Sequence, residues 1–136
     1  MSRIFVDTSF VVALINQRDR YHELAGRIAD ANAGRQLLTT DAILLELGNA
    51  LARGFKRQAT EVIEHFLTSP DVEVIRLTPE GFERAFELYR SRIDKSWGLV
   101  DCLSFVVMRN AGVEEALAFD DHFAQAGFRS VFTIRG

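Results

Sequence analysis

Four acidic residues stand where an apolar segment meets a polar one: Asp7, Glu46, Asp101 and Asp120. Asp7 stops the short run Arg3-Ile4-Phe5-Val6, and Asp120 stops Ala116-Leu117-Ala118-Phe119. Asp101 follows the polar loop that begins at Asp94 and opens an apolar helix, while Glu46 sits between Leu45 and Leu47 in an early turn of another. Taken singly, each has an ordinary role, because aspartate is a common helix cap and glutamate a common surface residue. Together they pose a charge problem. Two unit charges about 4 Å apart repel by roughly 4 kcal/mol at an effective dielectric of about 20. Four converging carboxylates therefore require either protonation of some of them or a neutralising divalent cation. Oxygen donors without Cys or paired His favour Mg²⁺ or Mn²⁺ over zinc, and such an ion keeps waters that leave room for phosphate oxygens and a nucleophile.

The elements that must bring these acids together follow from periodicity. Residues 3–6 read as a buried strand, and Phe10 to Ile15 as the helix after it, so Asp7 falls at the carboxyl edge of a sheet, where open α/β folds bind ligands. Asp19 is placed to cap a helix carrying Leu24, Ala25, Ile28 and Ala29, closed by Gly34. Gln36 to Thr39 is a second strand, and Thr40-Asp41 opens a helix from Ala42 to about Arg53. Arg53, Lys56 and Arg57 read most simply as a solvated helix end whose cations suit the dipole, with guidance of a nucleic-acid backbone as the functional reading. Ala59, Val62, Ile63, Phe66 and Leu67 mark a fourth helix, ended by Ser69-Pro70. Val72 to Leu77 alternates in part and suits a sheet edge. Thr78-Pro79 is a strong helix start, with Phe82, Ala85, Phe86 and Tyr89 as the apolar face. The helix through Cys102 and Met108 closes on Gly112, Ala116 to Phe119 is a strand, and Val131 to Ile134 supplies a last one. This rhythm predicts an α/β fold, a mostly parallel sheet flanked by helices on both faces, over one domain spanning residues 1–136.

Composition narrows the class. A chain of 136 residues with 48% hydrophobic residues can bury a core without disulfides or structural metal. A formal charge of -3 does not advertise a polyanion binder, so such a partner needs a local basic surface or a bound cation. The single cysteine, Cys102, reads as core, and a lone thiol together with no membrane-length apolar run predicts a cytoplasmic protein. His22, His65 and His122 show no ligand spacing and read as surface or packing residues. Trp97 covers core more readily than it stacks on a base.

Four segments together resemble a known family: Ile4 to Ser9, Leu44 to Leu47, Trp97 to Phe105, and Ala118 to Phe123. They resemble the PIN-domain nucleases, most of all the VapC-type toxins of type II toxin-antitoxin (VapBC) modules, over essentially the whole chain. The resemblance implies a PIN-like parallel sheet flanked by helices and a pocket binding Mg²⁺ or Mn²⁺. Asp7, Glu46, Asp101 and Asp120 match the acidic quartet, Asp7 and Asp101 leading as direct ligands, with Ser9 or Thr8 as a supporting hydroxyl. Asp121 stands where the family pattern is less fixed. It further implies endoribonuclease activity, an RNA substrate, a homodimer, and a cognate antitoxin whose tail enters the acidic groove. A non-toxin PIN-type RNA-processing nuclease is the near alternative, and a non-catalytic acidic partner-binding module the distant one. A haloacid-dehalogenase-type phosphotransferase would need a second Asp where Ser9 stands. A receiver domain would pair acids early and place a Lys after a late strand.

Overall fold

The computed structural model describes residues 2–130. Its frame is a four-stranded sheet of β1 (Ile4–Val6), β2 (Leu37–Thr40), β3 (Val72–Ile75) and β4 (Ala116–Leu117), in the order β3-β2-β1-β4. Every pairing is parallel. The helices are α1 (Thr8–Ile15), α2 (His22–Ala31), α3 (Asp41–Ala50), α4 (Lys56–Thr68), α5 (Pro79–Ser91), α6 (Leu99–Ala111) and α7 (His122–Gln125). One group, α1 to α4, packs together, and α5, α6 and α7 form a second. The expected helix-flanked parallel sheet is what forms, with β3 at an edge as its half-polar sequence requires. The proposed strand at Val131 to Ile134 lies outside the described residues.

The central strand β1 is buried throughout, which is why it reads as an unbroken apolar run. Its register puts Val6 against Leu117, and the Asp7 amide continues the ladder to the Leu117 carbonyl at 3.0 Å. The two strand-end acids are thereby neighbours. Strand β4 is shorter than its apolar run predicts: the Phe119 amide donates to Ser9 Oγ at 3.0 Å instead of to a strand. Phe5, Phe105 and Phe123, all fully buried, lock β1, α6 and α7 together, with Phe5–Phe123 centroids 5.9 Å apart and Phe105–Phe123 5.0 Å. Opening that cluster by Phe→Ala would cost on the order of 3–5 kcal/mol. Trp97 adds an edge-on contact to Phe105 at 5.0 Å and donates Nε1–H to Gln125 Oε1 at 3.0 Å, so it covers core as expected.

Four local expectations change. Asp19 does not cap α2; it accepts the Tyr21 amide at 2.9 Å in the preceding turn, and Tyr21 holds the cap position. Helix α3 stops at Ala50, because the chain turns at 51–54 through Gly54 with φ 89°. The basic cluster is therefore split: Arg53 lies in the turn, and Lys56 and Arg57 occupy the first turn of α4, the end the dipole disfavours for cations. On α5 only Ala85 is buried; Phe82, Phe86 and Tyr89 face outward at 46–47% exposure. Finally, α7 was not visible in the sequence, being a single turn held by the amides of Gln125 and Ala126 on the carbonyls of Asp121 and His122.

Candidate active site

At the carboxyl edge of β1 and β4 the four acids meet. Asp7, Glu46, Asp101 and Asp120, with Thr8, Ser9, Asn49, Ala50 and His122, line one open depression of about 570 Å³. Asp7 comes from the end of β1 and caps α1. Glu46 comes from the second turn of α3, Asp101 from the first turn of α6, and Asp120 from the turn between β4 and α7. Each position follows from local rules: an extended residue at a helix cap, an acid in a first turn, an acid after a buried strand.

The carboxylates share one pattern. Asp7 Oδ2 takes both Ser9 donors, Oγ at 2.7 Å and the amide at 3.2 Å, and no hydrogen bond engages Oδ1. Glu46 Oε1 accepts Thr8 Oγ1–H at 2.5 Å, leaving Oε2. Asp101 Oδ2 takes the Gly98 amide at 3.0 Å and His122 Nδ1 at 2.9 Å, leaving Oδ1. Asp120 Oδ1 takes the His122 amide at 3.0 Å, leaving Oδ2. In all four, one oxygen is tied to protein and the other is uncommitted. Such tethering fixes carboxylate orientation while keeping a lone-pair oxygen for a ligand.

The electrostatics are as costly as the cluster predicts. Burial, opposed by the Ser9 bonds and aided by the charges of Asp120 and Asp101, lifts the Asp7 carboxyl from 3.8 to about 7. Burial raises Glu46 as well, opposed by its Thr8 bond and reinforced by Asp101 and Asp120. Asp120 is likewise raised by burial, with Asp101 and Asp121 adding repulsion. Each shift is relieved by a cation. One ligand atom apiece from Asp101, Asp120 and His122 already lies within 4.8 Å of the others, and the uncommitted oxygens of Asp7 and Glu46 line the same depression. This donor set fits a hard divalent ion.

The family model of the PIN domain matches residues 4–129. The chain belongs to the PIN-domain family. It is 35% identical over 128 residues to the 23S rRNA-specific endonuclease VapC20 of Mycobacterium tuberculosis, covering 94% of this chain and 97% of that one. It is 27% identical over 99 residues to a VapC ribonuclease of Aquifex aeolicus, 72% of this chain and 71% of the relative. The crystal structure of M. tuberculosis VapC20, described as a Sarcin-Ricin loop cleaving toxin, superposes with a TM-score of 0.82 at 34% identity, over 92% of this chain and 95% of that one. A Pyrobaculum aerophilum structure, PAE2754, superposes with a TM-score of 0.61 at 17% identity over 97% of this chain and 91% of that one, a likeness of fold alone. The first relative's identity and near-complete mutual coverage put this chain among the VapC-type PIN nucleases.

Within this PIN site the hydroxyls divide their work: Ser9 serves Asp7, and Thr8 serves Glu46. Asp121 is not among the lining residues; it is exposed and accepts Gln125 Nε2–H at 3.2 Å. Asp94 pairs with Arg92 at 3.0 Å instead of reaching the site. His122 is the residue that reading the sequence missed. It is not a scattered surface group: its ring binds Asp101 and its amide binds Asp120, tying the two acids together. An ionised Asp101 only accepts, so Nδ1 carries the proton in that contact. Its position two residues beyond a strand-end acid was the available signal, since an amide at that spacing closes an Asx turn on the acid. Asn49, one turn beyond Glu46, also lines the depression and is a neutral donor and acceptor there.

Proposed function

We propose that this chain is a Mg²⁺- or Mn²⁺-dependent endoribonuclease that hydrolyses RNA phosphodiester bonds as the toxin of a toxin-antitoxin pair. The observation that carries the reading is the half-tethered quartet: four carboxylates from four segments, each with one oxygen fixed and one free toward the same depression. Asp7 and Asp101 are assigned as principal metal ligands, with Asp120 and Glu46 completing the site. Bound among them, the ion would supply positive charge beside the scissile phosphate and make a water a competent nucleophile near neutral pH.

The chain's own groups do the rest. Ser9 and Thr8 hold Asp7 and Glu46 in place, so the acids need not reorganise when substrate arrives. His122 and Gly98 fix Asp101. Arg53, Lys56 and Arg57, just beyond Asn49 and Ala50, are exposed cations assigned to the RNA backbone. Hydrolysis at the 3′ oxygen leaves a 5′-phosphate and a 3′-hydroxyl. By analogy with the M. tuberculosis relative, large-subunit rRNA is the first substrate to try. A cytoplasmic location, a homodimer and inhibition by a cognate antitoxin complete the assignment.

The test is cleavage of total RNA, including rRNA and tRNA, by purified protein with Mg²⁺ or Mn²⁺, beside EDTA and folded Asp101→Asn protein. Metal-dependent cleavage that the variant lacks, with 5′-phosphate ends, is expected. Retained cleavage by Asp101→Asn would remove it from the ligand set, and no cleavage by the folded, metal-loaded parent would reject the enzyme.

A further inference from the structure

Seven large apolar residues are exposed among the described ones: Leu45, Leu67, Leu77, Phe82, Phe86, Tyr89 and Ile93. Five of the seven lie on α5 or its flanks. Phe82, Phe86, Tyr89 and Ile93 recur at helical spacing and make one stripe, with Leu77 just ahead of it. The rings are ordered along the helix, Phe82 to Phe86 and Phe86 to Tyr89 both stacked at 6.5 Å. Half-exposed aromatics of about 200 Å² each, a half-exposed Leu77 and an almost fully exposed Ile93 present on the order of 500 Å². Patches of that size on soluble domains mark interaction sites.

We propose that this stripe is a self-association surface, on which α5 of a second copy lies antiparallel about a two-fold axis near Phe86. The charges beside the stripe choose this occupant. Glu80 and Glu83 precede Phe86 along α5, and Arg90 follows it. Arg90 is held beside the stripe by Glu87, Nε at 2.9 Å, with its guanidinium 6.0 Å from the Phe86 ring centre. Antiparallel pairing sets each acidic half against the other copy's basic half, so Glu83 meets Arg90 twice across the axis. Parallel pairing sets like against like. The three glutamates around the stripe, Glu80, Glu83 and Glu87, disfavour RNA and anionic membranes on this face. An isologous contact needs a self-complementary patch, and α5 is one. At about 500 Å² of apolar surface per copy, plus the flanking ion pairs, the contact approaches the ~800 Å² per partner of a standard interface.

This surface rests on the homodimer named above and not on the nuclease chemistry; no quartet residue belongs to it, so mass and cleavage are read separately. Sedimentation equilibrium of the full chain across the micromolar range should give a dimer. Folded Phe86→Glu protein, checked by circular dichroism and melting, should be a monomer. Should that variant not fold, the exposed charge pair provides the same test. Glu83→Arg and Arg90→Glu should each weaken the dimer about tenfold by placing like charges across the axis. The double reversal Glu83→Arg, Arg90→Glu should restore it. A monomeric parent chain, a dimer that survives Phe86→Glu, or failure of the double reversal to restore would each overturn the proposal. A monomeric parent whose RNA or vesicle binding falls in Phe86→Glu would give the face to that ligand instead.

Discussion

Asp7→Asn should stabilise the metal-free protein while removing its activity, and the size of the gain can be worked from the site. Asp7 is 4% exposed, and burial lifts its carboxyl from 3.8 to about 7. Because the folded-state value lies above the unfolded one, the folded chain keeps a proton that the unfolded chain releases. Stability therefore falls as pH rises from about 4 to about 7 and is level above that. At about 1.36 kcal/mol per pKa unit the full loss is roughly 4 kcal/mol. Asparagine has no charge to bury, and its carbonyl can still accept from Ser9 Oγ and the Ser9 amide. Water entry and relaxation reduce the figure, so we expect a gain of about 2 kcal/mol at pH 8, or ~5–10 °C in Tm for a domain of this size. The assay is a pair of thermal melts in EDTA at pH 4 and pH 8, with RNA cleavage measured in parallel. The variant should melt close to the parent at pH 4 and above it at pH 8. With Mg²⁺ or Mn²⁺ added, the parent should recover through binding and the variant should gain less. Asp7→Asn protein melting at or below the parent at pH 8 in EDTA would refute the claim that Asp7 is held at the expense of stability for a cation.

Other perturbations read neighbouring parts of the site. Ser9→Ala removes the hydroxyl that bridges Asp7 Oδ2 and the Phe119 amide; it should cost about 1–3 kcal/mol by chemical denaturation and lower kcat through a loosened Asp7. His122→Ala unties Asp101 from Asp120 and should weaken Mn²⁺ binding about tenfold or more by calorimetry, whereas unchanged affinity would leave His122 a packing residue. Neutralising Arg53, Lys56 and Arg57 together should lower RNA affinity and flatten its dependence on salt; an unchanged salt slope would take the cluster out of the RNA path.

The fold was legible because its signals are local or periodic. A buried parallel strand reads as an apolar run, as Ile4 to Val6 does, and Thr78-Pro79 and Gly112 mark helix ends by their own backbone preferences. The acids were legible as positions, since each follows a strand or enters a helix. Where readings went astray, tertiary contacts had outweighed local ones. Phe119 left the strand for Ser9, Asp19 served a turn instead of a helix, and the stripe on α5 proved to face solvent because apolar spacing says that a face exists and not what covers it.

By itself, then, the sequence determined the element order, the parallel sheet and the acid at each strand or helix end, because backbone sterics and side-chain periodicity act over a few residues. The tertiary structure alone decided that the four carboxylates share one depression, that each keeps one oxygen tied and one free, and that His122 joins Asp101 to Asp120. Those facts depend on contacts between residues 19 to 110 positions apart, such as His122 with Asp101 and Ser9 with Phe119, and on the burial that lifts Asp7. Neither distance nor burial is written in the spacing of residues; both arise only when the β1–β4 register brings distant strand ends side by side.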